Sequence, residues 1–195
     1  MSPAESKEGF AEASPRRRAR IAGVFYLLTI LTGAFAAFVS GKLLLYSEAA
    51  NLTASACYVA VTILFYGLFR PVDASLSLIA AVFSFAGCVL GILSVLHLLP
   101  SYISSVNPLV FFGVYCLLIG YLIFQSTFLP RILGGLMAFG GLGWLTFISP
   151  DVANYLSPYN LAPGILGEGA LTVWLLVFGL NAQRWKEQAS AGGDL

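Results

Sequence analysis

Residues 74–130 read ASLSLIAAVFSFAGCVLGILSVLHLLPSYISSVNPLVFFGVYCLLIGYLIFQSTFLP, and no Asp, Glu, Lys or Arg interrupts them between Asp73 and Arg131. A membrane-spanning helix needs about 20 mainly apolar residues, so this stretch is too long for one helix. Pro100 and Pro108 divide it, with Ser101, Ser104, Ser105 and Asn107 around them. Proline has no amide hydrogen and clashes inside a helix, so it belongs at helix ends and first turns. Asn107-Pro108 reads as an N-cap followed by a first helical position. Two spans result, at about 75–99 and 108–127.

The same charge-to-charge ruler, worked outward, gives spans at about 20–41, 50–69, 131–149 and 163–182, the last bounded by Pro150, Pro158 and Pro163. Composition agrees. Residues of the AVILMFWYC set make up 58% of the 195 residues and charged residues 10%, with a mean hydropathy of +0.87. Soluble domains carry about 25% charged residues, so a water-soluble enzyme is excluded. A net charge of +1 offers no basic face for phosphates, which excludes a nucleic-acid partner. A membrane barrel would need alternating segments of about ten residues, whereas these runs are continuous and twice as long. The expected fold is an all-α integral membrane protein, a six-helix bundle over residues 18–186 in the lipid bilayer of the cell membrane, with disordered tails at 1–17 and 187–195.

Lys7, Arg16, Arg17, Arg18, Arg20, Arg70, Arg131, Arg184 and Lys186 fall on one side of this map and Lys42 on the other. The positive-inside rule then puts both termini in the cytoplasm. Arg16 to Arg20 imitate the basic start of a signal peptide, but the apolar run that follows exceeds its usual 7–15 residues, so the first helix is expected to be retained. Tyr46, Tyr102, Tyr155 and Tyr159 suit an outer aromatic belt and Trp185 an inner one. Ser149-Pro150-Asp151 can start a helical turn on the membrane face.

Lipid tails are as apolar as leucine, so helices associate where small residues let backbones approach. Ala80, Ser84, Gly87, Gly91 and Ser94 share one face of the third span, and Gly33, Ala37 and Gly41 repeat the pattern in the first. Gly134, Gly135, Gly140, Gly141 and Gly143 crowd the fifth. Gly87, Gly91, Gly33 and Gly134 are the candidate packing positions. The three cysteines, Cys57, Cys88 and Cys116, lie within apolar runs and read as small hydrophobes.

The chemistry is mostly exclusion. One histidine, His97, excludes paired-histidine haem and HExxH zinc sites; GxSxG and P-loop motifs are absent. No cofactor or metal is expected. Glu168 is the one charged residue inside an expected span, about 7–8 Å past Pro163 at 1.5 Å per residue. Such residues are costly and turn inward. Gly164, Glu168 and Thr172 share its face. With His97, Thr32, Tyr58 and Tyr115, Glu168 and Thr172 form a candidate polar site in the outer half of the bundle. Glu168 could meet His97, or stand as a neutral acid donating to a hydroxyl such as Thr32 or Tyr58. Tying two helices together is the plainer reading, and hydroxyls often bond their own backbone.

ARIAGVFYLLT at 19–29, LFRPV at 68–72 with SLSL at 75–78, GYLIF at 120–124 with FLPRILG at 128–134, and Gly167-Glu168 leading to WLL at 174–176 together resemble a bacterial multi-pass membrane family known as domain of unknown function 4386. The resemblance covers about residues 18–186 and implies a membrane protein without an assigned activity. Family members are longer between the first and second spans and between the third and fourth, which implies that an outer-face site of longer members is incomplete here. The expected function is a non-enzymatic binding or regulatory membrane protein, with a small apolar ligand or a membrane-protein partner. The alternative is a small transporter or proton-coupled carrier using Glu168. An intramembrane enzyme is the least supported.

Overall fold

The computed structural model describes residues 14–39, 43–100, 103 and 106–191. Lys42, Gly41, Ser101, Tyr102, Ser104, Ser105 and most of the N-terminal tail lie outside the described residues. Within them the chain is all helical: α1 Pro15–Val39, α2 Leu44–Phe69, α3 Ala74–Val95, α4 Leu109–Gln125, α5 Arg131–Leu145 with a 3-10 turn Thr146–Ile148, α6 Pro150–Leu156, α7 Leu161–Val177 and α8 Ala182–Ala191. Four of these are long and apolar enough to cross a membrane: α1, α2, α3, and α5 with its 3-10 turn. A fifth follows if α6 and α7, bent by 80° at their junction, count as one broken span. Helix α4, at 17 residues, is shorter.

Each long helix packs against its chain neighbour, and α7 returns to α1. The contacts run α1–α2–α3–α4–α5–α7–α1 and close a ring. Connections of four or five residues explain three of these pairings, α1–α2, α2–α3 and α4–α5, because a tight loop leaves consecutive antiparallel helices side by side. The ring encloses Tyr26, Tyr58, Phe65, Tyr115, Ile119, Met137 and Leu171, all at most 5% exposed. Its outside is apolar as well: Phe38, Leu45, Ile132 and Ile148 are 70–83% exposed. A surface like that suits hydrocarbon and not water.

The helix ends refine the expected spans. Pro15 opens α1, where its fixed φ and missing amide hydrogen do no harm, so the helix starts inside the expected tail. Helix α2 begins at Leu44, ahead of residue 50, and carries Glu48 in its first turns. Asp73 caps α3 by accepting from the Leu76 amide at 2.8 Å. That helix ends at Val95 and not near 99, because His97 turns left-handed at φ 55°. The amides of His97 and Leu98 return to the carbonyls of Ser94 and Leu93, the paired closure of a Schellman motif. Asn107 accepts from the Leu109 amide at 3.0 Å. Helix α7 stops at Val177, short of the expected 182, and Gly179 follows at φ 69°. Residues expected in the C-terminal tail extend α8 to Ala191. That helix is anchored by Trp185, whose indole N–H donates to the Leu68 carbonyl at 2.8 Å.

Backbones approach closely between α7 and α5, where a Cβ on Gly167 would collide with the Leu136 carbonyl oxygen, and at two places between α4 and α5. A Cβ on Gly120 would stand 2.7 Å from the Gly134 carbonyl oxygen, one on Gly134 2.6 Å from that of Gly120, and one on Gly141 2.7 Å from that of Gly113. Two glycine pairs, seven residues apart on each helix, therefore form an antiparallel seam. A Cβ on Gly87 would meet the Phe112 ring at 3.0 Å, whereas Gly91 leaves 3.8 Å to the Ser55 hydroxyl. Gly33 has nothing within 4 Å of its would-be Cβ, and the expectation of packing there is corrected. Helix α1 approaches α7 a turn or more earlier, at Ala19, Ala22 and Gly23, where a Cβ on Gly23 would meet Leu175 at 3.1 Å.

Candidate functional site

Glu168 lies on the inward face of α7 and is 7% exposed. Its Oε1 accepts from the Trp144 indole N–H of α5 at 2.8 Å and from the Cys116 thiol of α4 at 3.5 Å. The Tyr26 hydroxyl of α1 also faces the carboxyl. One side chain thus bonds two other helices of the ring, with a hydroxyl of a third beside it.

The local sequence makes room for this. The Trp144 indole lies over Gly164, one turn before Glu168, and a Cβ on Gly164 would collide with the Trp144 ring. Gly140 and Gly143 bring α5 against Pro163 and Gly164 in the same way, a Cβ on Gly143 standing 2.8 Å from the Asn160 carbonyl oxygen. The glycines let the two backbones close, and the closure carries the indole onto the carboxylate.

Aromatic rings fill the neighbouring space. The Tyr26 and Tyr58 hydroxyls lie 3.4 Å apart, with ring centroids 5.6 Å apart and nearly perpendicular. Tyr58 also packs edge-on against Tyr115 at 5.8 Å, and lies tilted against Phe112 at 4.6 Å. Edge-to-face pairs of this kind stabilise by roughly 0.5–1.5 kcal/mol beyond burial. The Tyr115 hydroxyl and Thr172 Oγ1 are buried without a hydrogen-bond partner. Beside this cluster Thr62 bonds the hydroxyl of Ser84 and so links α2 to α3.

Of the residues expected to form one polar site, Glu168, Thr172, Tyr58 and Tyr115 are buried in the bundle. His97 and Thr32 are not brought to it. His97 terminates α3 at the ring's edge, its side chain is 81% exposed, and its Nε2 lies 3.7 Å from Glu48. Of the two alternatives open for Glu168, the meeting with His97 is the one that does not occur: the left-handed turn at position 97 takes the imidazole to Glu48. Thr32 is half-buried and bonds its own helix through the Leu28 carbonyl at 2.7 Å, the local bond that threonine makes readily in helices. Three residues that sequence reasoning missed complete the cluster: Trp144, Cys116 and Tyr26. The available signal was the i, i+4 pair Gly164 and Glu168, a gap one turn from an acid, opposite a glycine-rich helix that carries a single large indole. Among the described residues no group of three or more His, Cys, Asp or Glu is placed to hold a metal ion.

Residues 102–179 match the model of a family described as Domain of unknown function (DUF4386). The match runs from the loop before α4 to the end of α7, so Cys116, Trp144 and Glu168 lie within it. It bears out the resemblance over that part, while the stretches quoted at 19–29 and 68–78 lie outside it. A protein of Archaeoglobus fulgidus, itself named "Uncharacterized protein", is 28% identical over 127 residues, covering 62% of this chain and 76% of its own length. No solved structure matches the chain.

Proposed function

We infer a function from two findings: the chain resembles the DUF4386 family over residues 102–179, and it has four to five apolar helices able to span a membrane. From that premise we propose that it is a multi-pass cell-membrane protein of six spans, both termini cytoplasmic. In this reading it acts by binding a ligand or partner, without catalysis, and Glu168 fastens the bundle. The observation that carries this is the enclosure of the Glu168 carboxyl, 7% exposed and bonded to Trp144 and Cys116 on two other helices. A carrier needs its titrating group to meet water in turn from each side. A carboxyl held by an indole and a thiol within packed aromatic rings is built to stay. The six-span map is supported by the closed ring of α1–α5 and α7 and by the sequence, in which that map puts nine of the ten Lys and Arg on one side.

Proteoliposomes and melting curves test this together. Wild-type protein should dissipate an imposed pH gradient no faster than empty vesicles. Glu168→Leu, which leaves the Trp144 N–H without its acceptor, should lower stability by about 1–3 kcal/mol, and Glu168→Gln, which keeps an acceptor oxygen, by less. Proton flux through the wild type that Glu168→Gln abolishes, with melting unchanged, would overturn the reading in favour of a carrier.

A further inference from the structure

Two grooves on the surface of the bundle share a wall. The first, about 600 Å³, lies where α1, α7 and α8 meet the loop before α5, and its lining includes Arg16, Thr127, Trp174, Phe178, Asn181 and Arg184. The second, about 480 Å³, is lined by α7 and α5, including Leu133, Ile165, Gly169, Val173, Trp174 and Phe178. Trp174 and Phe178, with ring centroids 4.5 Å apart, belong to both. The apolar groove therefore runs into the arginine-lined one.

We propose that these joined grooves bind one anionic phospholipid, its phosphate headgroup at Arg16 and Arg184 and an acyl chain along the outer face of α7. The inference deepens the binding reading above by naming the ligand class, and it rests on that reading's membrane-spanning bundle.

Length, charge and exposure each support the assignment. From Ile165 to Phe178 the groove follows α7 for roughly 20 Å at 1.5 Å per residue, which exceeds one leaflet of a hydrocarbon core of about 30 Å. Ile165, Val173 and Phe178 are 54–59% exposed and face where lipid chains lie. At the other end, Arg16 Nε donates to the Phe178 carbonyl at 3.3 Å, and Arg184 donates to the Thr127 carbonyl at 3.3 Å. Both arginines thus bond neutral carbonyls. A guanidinium has five N–H donors, so each keeps donors for a phosphate. The surrounding field has the same sign. Arg16 and Arg184 stand in the first turns of α1 and α8, and neither first turn holds an acid. Cations there oppose the helix dipole, and a bound anion would offset that cost. Basic pockets between membrane helices at the membrane surface suit anionic headgroups.

Native mass spectrometry of the full chain, released from mixed vesicles of phosphatidylglycerol and phosphatidylcholine, tests the proposal. The wild type should retain phosphatidylglycerol at least tenfold over phosphatidylcholine. Arg16→Gln combined with Arg184→Gln should bring that ratio to near one. Gly169→Phe should expel the lipid while melting stays unchanged, because a Cβ on Gly169 meets nothing within 4 Å and its side chain would fill the groove. Equal retention of the two lipids by the wild type overturns the proposal, as does undiminished retention by Gly169→Phe. Displacement of the lipid by millimolar inorganic phosphate also overturns it, in favour of a site for the free anion. Should the double arginine variant fail to fold, Gly169→Phe still decides. None of these outcomes depends on proton flux, so they leave the assignment of Glu168 to its own experiment.

Discussion

His97 holds a backbone conformation that disfavours its own side chain. A left-handed φ crowds any Cβ, and glycine is the usual residue at this point of a Schellman closure. The imidazole returns little, since its 3.7 Å contact with Glu48 is largely in solvent and exposed ion pairs contribute about 0–1 kcal/mol. His97→Gly should therefore raise the stability of the detergent-purified protein by about 1 kcal/mol. His97→Ala, which removes the ring and keeps the strain, should not. Equal melting shifts for the two would show that the ring, and not the backbone, governs this turn. Thr172 has the opposite problem, a hydroxyl buried without a partner. Thr172→Val keeps the shape and removes the desolvated group, so stability should hold or rise by up to about 1 kcal/mol; a marked fall in the melting curve would mean that the hydroxyl has a partner. At this scale Glu168 was legible in the sequence, because a lone acid in an apolar run must turn inward. Its partners were not. Which indole, thiol and phenol reach it depends on helix rotations that composition does not set.

Between elements, the energetic weight falls on glycine seams, since the lipid-facing surface gives no hydrophobic reason for helices to associate. The α4–α5 seam holds two glycine pairs, with carbonyl oxygens 2.6–3.0 Å from the would-be Cβ atoms of Gly113, Gly120, Gly134 and Gly141. Gly134→Leu should lose at least 3 kcal/mol or fail to fold, because backbone and not a flexible side chain blocks the added carbons, and overpacking alone costs about 1–3 kcal/mol. Gly33→Leu, facing open space, should leave the melting curve where it is. If the two variants melt alike, the seam is not holding the bundle. Gly134 and Gly87 were readable as packing positions from small residues at helical spacing. Gly33 has the same spacing and does not pack, while Gly113 and Gly120 do, although they lie seven residues apart in a run rich in Leu and Ile. A stripe of small residues tells that a close approach is available. Whether a neighbour takes it depends on the order in which the ring closes. Helix ends divide the same way: proline breaks at 108 and 150 were legible, whereas the stop at Val95 depends on a left-handed histidine that no turn rule would nominate.

For the molecule as a whole, the ring α1–α2–α3–α4–α5–α7 makes topology and charge a single problem. Consecutive helices around a closed ring run up and down in turn, so six crossings return the chain to the side on which it began. Helix α4 has only 17 residues, and α7 is entered through an 80° bend from α6. These two elements decide between four, five and six crossings. Seventeen residues at 1.5 Å each reach about 25 Å, the lower end of what spans a bilayer. The short α6 lies crosswise to α7, and Tyr155 on it and Tyr159 in the turn that follows are 88% and 80% exposed, as suits interfacial aromatics. If α4 and α7 both cross, Arg16, Arg70, Arg131 and Arg184 share one side and the α6 loop lies on the other. A reporter active only outside the cytoplasm should then be silent when fused to Leu195 or inserted after Arg70, and active when fused after Asp151. Signal at Leu195 with none after Asp151 would invert the map. Silence at both positions would mean that α7 does not cross the membrane after α5, and the six-span bundle would give way to one in which α6 and α7 form a re-entrant pair.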